Sequence, residues 1–356
     1  MTKSDASIEI RDLYKIFGNA PKHYVEAVRN GLSKADLANK HGHILGLNNI
    51  NIVIPAGKIQ VIMGLSGSGK STLIRHINRL IEPTAGSIVI DGRDILGMSE
   101  LELREFRRNR TAMVFQNFAL LPHRTVIDNV TFGLEVRGFD KARSRETGMR
   151  WIDRVGLLGF ENRYPDELSG GMKQRVGLAR ALSSDASILM MDEAYSALDP
   201  LIRTDMQTML LDLQMELKKT IVFITHDLDE ALRLGDRIVI LRDGTIVQQG
   251  DGQDILLRPA DDYIQRFVKD VNRGRFIKVE AVMDEAPRAD STSLPRLKVS
   301  TTLEVAAKEL TNSPYDEAIV VDVVGKPMGL VSLRQITAAL SATGETDRKK
   351  VELTLK

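Results

Sequence analysis

The chain has 356 residues, of which 43% are hydrophobic and 27% are charged, and its formal net charge is +1. This length suits about two to three domains, and the near-neutral charge gives no electrostatic case for a nucleic-acid partner. The absence of cysteine excludes disulfides, a thiolate nucleophile and cysteine metal ligands, and it is typical of a cytosolic protein. The polar N-terminus lacks the apolar core of a signal peptide, and no run of about 18 apolar residues predicts a membrane span.

The first elements in chain order are two strands separated by a polar insertion. Alternation over residues 7–17 predicts an edge strand, and a second strand is predicted over residues 47–54. The intervening residues 18–46 are polar and lack strand patterning. Within them, Ser33 and Asp36 predict the start of a short helix in the manner of a capping box.

A glycine-rich loop then joins a strand to a helix. Residues 58–63 predict a short buried strand, and the apolar spacing of residues 70–81 predicts a helix. The sequence between them, GLSGSGKST, fits the pattern G-x-x-x-x-G-K-[ST]. Free N–H groups and the dipole at the helix start favour a polyphosphate, and the glycines let the backbone close around it. The predicted ATP-binding residues are therefore Gly64, Leu65, Ser66, Gly67, Ser68, Gly69, Lys70, Ser71 and Thr72.

Two residues of this loop have separate expected roles. Lys70 is expected to reach the β- and γ-phosphates of ATP, and the Ser71 hydroxyl is expected to hold Mg²⁺. The alternative is a chance Gly/Ser loop, and the flanking strand and helix argue against it.

The remaining elements alternate short strands with helices. Asp91-Gly92 and Asp243-Gly244 predict hairpin turns, and residues 117–168 and 253–273 predict helical regions. Alternation of this kind predicts a parallel sheet covered by helices. The further strands are predicted at residues 87–90, 111–115, 188–191, 221–225 and 238–241, of which 111–115 is expected to be buried.

Polar residues with catalytic potential follow these strands. Asp192 lies where a buried strand stops, and it is expected to hold Mg²⁺ through water. Glu193 is expected to polarise the attacking water, and His226 to orient that water or to contact the γ-phosphate. Gln116 is expected to touch both the metal and the water. The predicted catalytic residues are thus Glu193, His226 and Gln116, and the predicted metal site comprises Ser71, Gln116 and Asp192.

A second phosphate site is predicted at LSGGM, residues 168–172, where donors again precede a helix. Together with SALD at residues 196–199, the ordered motifs resemble the ATP-binding-cassette (ABC) ATPases over about residues 7–270. The resemblance implies an α/β phosphate-loop NTPase cassette, with a mixed sheet core and a helical subdomain at about residues 117–168. It also implies a head-to-tail homodimer in which the signature contacts the partner's ATP and Asp199 lies at the interface. The signature residues are Ser169, Gly170 and Gly171.

The adenine contact is expected at the end of the first strand. Phe17 stands in the place of the aromatic residue on which adenine stacks in the ABC family. Tyr14 is a competing candidate, and a plain core role at the strand end is the alternative for Phe17.

The cassette most resembles the ATPase subunits of glycine betaine, proline betaine and choline importers, through stretches such as MDEAYSALDPLIRT and HDLDEALRLGDRI. This resemblance implies a peripheral subunit at the cytoplasmic face of the inner membrane, acting on a separate transmembrane permease and, indirectly, a periplasmic or extracellular solute-binding protein. A cassette for amino acids or another small solute is the alternative within the class. A soluble ABC ATPase that remodels DNA or ribosomes is the alternative outside transport.

The C-terminal region predicts a separate small unit. A cassette domain over residues 1–273 and a linker over 274–278 precede residues 279–341, which have the pattern β-α-β-β-α and resemble a single CBS repeat. Gln335 stands where nucleotide-binding repeats carry Asp, which argues against adenosine binding there. An exposed apolar face is expected to pair with the partner's copy, and it comprises Val305, Ile319, Val320, Val321 and Leu330. The charged tail, 342–356, holds a basic cluster expected to meet acidic lipid in a salt-dependent manner.

Overall fold

A computed structural model describes residues 7–285 and 293–341 of the chain. The chain divides into two compact units, Met1–Val247 and Gln248–Lys356. The domain boundaries predicted from the sequence at residues 273 and 279 stay predictions. The charged tail and its basic cluster lie outside the described residues.

The first unit holds two sheets and the helices that cover them. In chain order its strands are β1 (Ile8–Phe17), β2 (Ile44–Ile54), β3 (Ile59–Met63), β4 (Ala85–Ile90), β5 (Arg93–Asp94), β6 (Thr111–Phe115), β7 (Ile188–Asp192), β8 (Thr220–Thr225), β9 (Arg237–Arg242) and β10 (Thr245–Gly250), the last of which crosses the division between units. Its helices are α1 (Val25–Arg29), α2 (Lys34–His41), α3 (Lys70–Ile77), α4 (Glu100–Arg110), α5 (Val126–Val136), α6 (Lys141–Arg154), α7 (Gly170–Ser183), α8 (Pro200–Leu217) and α9 (Leu228–Leu234).

The smaller sheet has four strands in the order β2-β1-β4-β5. Strand β1 pairs antiparallel with β2 on one side and with β4 on the other. The strand predicted at residues 7–17 is confirmed, but its predicted edge position is wrong, because both sides of β1 are hydrogen-bonded. Its alternation arises because one face is covered: Ile8 and Ile10 are buried in the core, whereas Arg11 is exposed.

The larger sheet has six strands in the order β10-β9-β3-β8-β7-β6. Strand β3 is parallel to β8 and β9, and β7 is parallel to β6 and β8, which confirms the predicted parallel sheet. Because parallel strands end at one edge, the segments after β3, β6, β7 and β8 meet there. Strand β6 is an edge strand of this sheet, so the expectation that residues 111–115 are fully buried is wrong; of the five, Val114 is buried.

Helix α3, which follows the phosphate loop, packs one apolar face into the core. Leu73, Ile74 and Ile77 belong to the apolar core that joins the two sheets. The helix ends at Ile77, four residues before the predicted end at residue 81. A side chain of another helix contacts the backbone just after this end. The Arg107 guanidinium on α4 donates to the carbonyl oxygens of Asn78 and Arg79 at 2.9 and 2.5 Å.

The polar insertion between β1 and β2 folds into α1 and α2. Ser33 is the N-cap of α2, and its hydroxyl oxygen accepts a bond from the Asp36 N–H at 3.0 Å, so the predicted helix start is confirmed. Val25, Val28 and Leu37 pack in one cluster with side chains of the smaller sheet. The insertion is therefore a packed part of the first unit.

The segment between β6 and β7 is built from α5, α6 and α7. Trp151 and Ile152 of α6 are buried. The Asn129 side chain, also buried, donates to the carbonyl oxygens of Leu121, Arg124 and Thr125 and so holds the loop before α5. In the described ranges, no helix has the length and apolar content needed to cross a bilayer.

The second unit contains α10 (Gly252–Leu257), α11 (Asp262–Val268) and a small sheet with two helices. The sheet elements are β11 (Arg296–Lys298), α12 (Leu303–Thr311), β12 (Glu317–Val321), β13 (Pro327–Ser332) and α13 (Leu333–Ser341). Strand β11 is parallel to β12, which is antiparallel to β13.

The apolar face expected on this unit is mostly covered. Ile319, Val321 and Leu330 are buried and pack with Leu294, and Val320 is also buried. The expectation that these four are exposed is therefore wrong, because the unit packs them internally. Val305 remains 47% exposed.

Gln335 serves a local role in the second unit. Its side-chain oxygen accepts bonds from the Ser332 N–H at 2.8 Å and the Ser332 hydroxyl at 2.9 Å. These contacts hold the start of α13, and they engage the side-chain oxygen of Gln335 in hydrogen bonds within its own chain.

Candidate active site

The phosphate loop connects the end of β3 to the start of α3. Gly64 has φ +152°, and a Cβ there would lie 2.3 Å from the Leu241 carbonyl oxygen. A side chain cannot be accommodated at this position without moving the backbone of β9. The Ser68 hydroxyl is buried, and within the described part of the chain it has no hydrogen-bond partner. An unpaired buried hydroxyl in a loop at a helix start fits a loop that closes on an anion.

The Lys70 ammonium faces the interior of this loop. Its Nζ donates to the carbonyl oxygens of Gly64 at 2.8 Å and Leu65 at 3.1 Å. It also lies 3.5 Å from Glu193 Oε1, and the Lys70 side chain is only 4% exposed. The positive charge is thus buried within the loop, beside the residue that follows β7.

Ser71 and Asp192 meet across two elements. The Ser71 hydroxyl, in the first turn of α3, donates to Asp192 Oδ1 at 2.9 Å. Asp192 ends β7 and is buried. Burial raises the pKa of the Asp192 carboxyl, and the bond from Ser71 opposes that shift. A hydroxyl and a carboxylate at contact distance are hard oxygen ligands of the kind that Mg²⁺ prefers.

Glu193 lies between Lys70 and His226, two side chains that can carry a positive charge. One carboxylate oxygen is 3.5 Å from Lys70 Nζ, and the other is 3.3 Å from His226 Nδ1, which follows β8. The backbone of Glu193 has φ +46°, uncommon for a residue with a side chain, and its N–H donates to the Ile224 carbonyl oxygen at 3.2 Å. Lys70, Ser71, Asp192, Glu193 and His226 therefore form one cluster at the carboxyl edge of the larger sheet.

Gln116 joins this cluster through an intermediate residue. Its Nε2 donates to the Ser196 hydroxyl at 3.3 Å, and that hydroxyl donates to the Glu193 carbonyl oxygen at 2.9 Å. The described contact of Gln116 is thus with Ser196, and neither Ser71 nor Asp192 is its hydrogen-bond partner.

The signature residues and Asp199 lie together at the starts of two helices. The Ser169 hydroxyl accepts from the Met172 N–H and caps α7, whereas Asp199 accepts from the Ile202 N–H and caps α8. A Cβ on Gly171 would lie 2.7 Å from the Ile202 side chain, so the two segments touch. Across the described ranges, no hydrogen bond or ion pair links Ser169 or Asp199 to the phosphate loop of the same chain.

Phe17 is accessible, whereas Tyr14 is not. Tyr14 is 5% exposed and packs with Val25 and Leu37, while the Phe17 ring is 38% exposed at the end of β1. Burial therefore removes the competing candidate for a stacking residue.

Gly46 lies between Phe17 and the phosphate loop, a relationship that sequence reasoning missed. A Cβ on Gly46 would lie 2.7 Å from the Phe17 ring, and a Cβ on Gly69 would lie 2.9 Å from the Gly46 carbonyl oxygen. A glycine inside a strand often marks such a close approach, and that signal was present in the sequence. The turn after β9 holds the loop from the same side, because the Gly244 N–H donates to the Ser68 carbonyl oxygen at 3.0 Å.

Arg203 is a second residue that the sequence did not single out. Its guanidinium donates to the Leu198 carbonyl oxygen at 3.1 Å and lies 3.4 Å from Asp227 Oδ2. Asp227 directly follows His226 and caps α9. Arg203 thus links the segment of Asp199 to the segment of His226.

A phosphate loop, a buried acid, an adjacent glutamate and a histidine at the carboxyl edge of a parallel sheet define a phosphate-loop ATPase. A family model described as "ABC transporter" matches residues 47–196. The chain is 50% identical over 306 residues to the glycine betaine transport ATP-binding protein OpuAA of Bacillus subtilis, covering 84% of this chain and 73% of that protein. It is 47% identical over 334 residues to the glycine betaine/proline betaine transport system ATP-binding protein ProV of Salmonella typhimurium, covering 94% and 82%. The chain belongs to the ABC transporter family and is an ATP-binding, ATP-hydrolysing member of it.

Solved structures agree with this assignment. The chain resembles the dimeric post-hydrolysis state of the ATP-binding cassette MJ0796 bound to ADP and Pi, with 30% identity and a TM-score of 0.59. The match covers 69% of this chain and 98% of that one. The fold class and the family predicted from the sequence are thereby confirmed.

Proposed function

We propose that this chain is the ATPase subunit of an importer for quaternary amines such as glycine betaine, proline betaine or choline. The observation that carries this proposal is the 50% and 47% identity to OpuAA and ProV over most of both chains. In this proposal the solute crosses through a separate transmembrane permease, and a solute-binding protein delivers it. The subunit acts at the cytoplasmic face of the inner membrane, in an osmoprotective system.

Mg²⁺ is proposed to bind at Ser71 and Asp192. Their contact at 2.9 Å places a hydroxyl and a carboxylate oxygen together, and the burial that raises the Asp192 pKa would be offset by a cation. Among residues 7–285 and 293–341, no three His, Asp or Glu side chains converge as a metal cage. This suits Mg²⁺, which is usually held by one or two carboxylates plus substrate phosphates. When bound, the ion would neutralise charge on the phosphates. The described hydrogen bond of Gln116 goes to Ser196 and to neither ligand, so its proposed place is the outer part of the site.

Glu193 is proposed as the general base for the attacking water. Its carboxylate is held by Lys70 on one side and by His226 on the other, at 3.5 and 3.3 Å. The phosphates of ATP are acceptors that compete for the same Lys70 ammonium. Nucleotide binding would therefore loosen the ion pair and leave the Glu193 carboxylate available to water, with His226 orienting that water.

The nucleotide site is proposed to be shared between two copies of the chain. No described hydrogen bond joins the signature residues Ser169, Gly170 and Gly171, or Asp199, to the chain's own phosphate loop. A head-to-tail homodimer would place them on the ATP held by the partner's Lys70 loop. The dimeric MJ0796 structure supports the formation of a dimer by similarity. Phe17 is proposed to stack on adenine, because it is the accessible aromatic next to Gly46 and the loop.

The region after the cassette is proposed to be a single CBS-like repeat over residues 279–341, reached through a linker at 274–278. The Gln335 side-chain oxygen is hydrogen-bonded to Ser332, which supports a role other than adenosine binding for this unit. This unit is assigned a regulatory or dimer-stabilising role.

The proposal is tested by reconstituting the chain with its permease and binding protein in liposomes. Choline, glycine betaine and proline betaine are added separately, and ATPase activity is measured against an uncharged sugar and an amino acid. We expect stimulation by at least one quaternary amine and none by the other solutes. Stimulation by the amino acid alone would favour the alternative importer, and indifference to every solute would favour a non-transport ATPase.

A further inference from the structure

The polar insertion closes on a buried histidine, His43. This residue directly precedes Ile44, which pairs with Phe17 at the ends of β2 and β1. His43 is only 7% exposed. It therefore occupies the base of the insertion, one position beyond the strand pair that carries Phe17.

Both ring nitrogens of His43 contact backbone on opposite ends of the insertion. Nδ1 lies 2.6 Å from the His41 carbonyl oxygen, and Nε2 lies 2.7 Å from the Asn19 carbonyl oxygen. A neutral ring carries one N–H and so donates to one of these two oxygens; with the proton on Nε2, the acceptor is the Asn19 carbonyl oxygen. Asn19 is two residues after Phe17, so the imidazole links the segment after Phe17 to the start of β2.

The ring has two further close neighbours. The Tyr24 ring lies with its centroid 4.3 Å from that of His43. A Cβ on Gly18 would lie 2.2 Å from His43 Cδ2, and Gly18 has φ +144°. The space that a side chain would need at Gly18 is therefore taken by the imidazole. The chain can leave Phe17 in this direction only because residue 18 is glycine.

Lys15 and Gly46 are two neighbours of the Phe17 ring. Lys15 Nζ lies 4.8 Å from the ring centroid, and a Cβ on Gly46 would meet the ring at 2.7 Å. With 38% of the residue exposed, part of Phe17 is uncovered, so the path of the backbone on either side of it contributes to the direction of the ring. His43 contacts the backbone on the C-terminal side of Phe17, at Asn19.

We propose that His43 is a positioning residue for Phe17 in nucleotide binding, a proposal that rests on the proposed stacking of adenine on Phe17. Holding Asn19 and filling the space over Gly18 keeps the Phe17 ring in one orientation before ATP arrives. Preorganisation of this kind affects affinity for the part of the ligand that meets the ring. Affinity for the phosphates, which bind about the Lys70 loop, does not depend on it.

A pair of nearly isosteric variants separates the two contacts. In His43→Gln the amide nitrogen takes the place of Nε2 and can still donate to Asn19, whereas in His43→Asn it takes the place of Nδ1 and cannot. Dissociation constants are measured on the full chain for a non-hydrolysable ATP analogue and for magnesium tripolyphosphate. For His43→Asn we expect roughly 3- to 10-fold weaker binding of the ATP analogue, the scale of one lost hydrogen bond. Tripolyphosphate binding should be unchanged, kcat should be unchanged, and His43→Gln should restore most of the affinity.

Further variants give this test its controls. His23→Ala, at an exposed position of the same insertion, should behave as wild type. In Gly18→Ala, the added methyl group would collide with the His43 ring and displace it. If His43→Asn does not fold, this variant should show the same weaker binding of the ATP analogue with unchanged binding of tripolyphosphate. Equal weakening of both ligands in the folded His43 variants would show a general structural role and overturn the proposal, as would an unchanged ATP affinity.

Phe17→Ala separates this inference from the proposed function. If it weakens binding of the ATP analogue but not of tripolyphosphate, stacking holds and the His43 results decide the inference. If it changes neither, stacking on Phe17 is wrong and the role of His43 falls with it. If the wild-type chain shows no ATPase activity, that separate outcome would contradict the proposed function itself.

Discussion

Lys70 Nζ and Glu193 Oε1 lie 3.5 Å apart, both largely withdrawn from solvent, with side chains 4% and 20% exposed. The pair joins the first turn of α3 to the residue after β7. Because Glu193 also faces His226 Nδ1 at 3.3 Å, the carboxylate is centred between two groups that can carry positive charge. This relationship connects phosphate binding to the proposed general base.

The first prediction concerns Glu193→Gln. The amide cannot accept a proton from water, so hydrolysis should fall by roughly 10²–10⁴-fold, the usual share of a general base. Mg-ATP binding should persist, because the variant keeps the size of the side chain and releases Lys70 from its ion pair. Phosphate release and ATP-dependent dimerisation by size-exclusion chromatography measure the two effects. A hydrolysis rate within about threefold of wild type would remove Glu193 from the base role.

The second prediction concerns sharing of the site between two chains. A Lys70→Ala chain lacks a working phosphate loop, and a Ser169→Arg chain lacks a working signature. Each should be inactive alone. Mixed in equal amounts, they should regain activity, because one of the two sites in a mixed dimer joins an intact loop to an intact signature. The control is a chain carrying both changes, which should rescue neither parent. Activity that never exceeds the parents would argue against head-to-tail sharing.

The third prediction is an acid-dependent loss of stability through His76. The residue is fully buried on α3, and its Nδ1 lies 2.6 Å from the Thr72 carbonyl oxygen. Burial lowers the pKa of His76 below its ordinary value of 6.5, so the folded chain keeps the ring neutral. The unfolded chain then binds more protons, and stability should fall as pH drops below about 6.5, by at most about 1.4 kcal/mol per pH unit for one proton.

Urea unfolding of wild type and His76→Asn at pH 7.5, 6.5 and 5.5 checks this. Asn retains a donor near the Nδ1 position but does not titrate, so the variant should show a shallower pH dependence. His123→Asn, at an exposed position, should keep the wild-type slope. Identical slopes for wild type and His76→Asn would show that another group is responsible.

The fourth prediction concerns the C-terminal region. Truncation after Asn272 removes the CBS-like repeat and the tail, whereas truncation after Ser341 removes the tail alone. If the basic tail senses ionic strength at acidic lipid, both truncations should flatten the salt profile of transport, because screening acts over about 10 Å at 0.1 M salt. Transport is measured in liposomes with and without acidic lipid. A changed profile only in the longer truncation would assign sensing to the repeat, and unchanged profiles in both would leave it a dimer-stabilising unit.

The sequence by itself was enough to predict the phosphate loop, the two acids at the end of β7, His226 and the parallel sheet. These features are local or ordered: a loop between strand and helix, polar residues at strand ends, and a regular alternation of elements. Parallel strands place those ends at one edge, which the larger sheet does for Lys70, Ser71, Asp192 and Glu193.

The tertiary structure decided which strands are edges and which surfaces are covered. Strand β1 became an interior strand and β6 an edge strand, because pairing partners come from distant parts of the chain. Arg107 contacts the backbone just beyond the early end of α3 from a distant part of the sequence, and Ile319 and Leu330 are buried by contacts within their unit. A glycine in a strand signals a close approach, but only the fold shows that Gly46 meets Phe17 and that His43 closes on Asn19. Each is a contact whose geometry depends on the whole fold, and no periodicity in the chain encodes it.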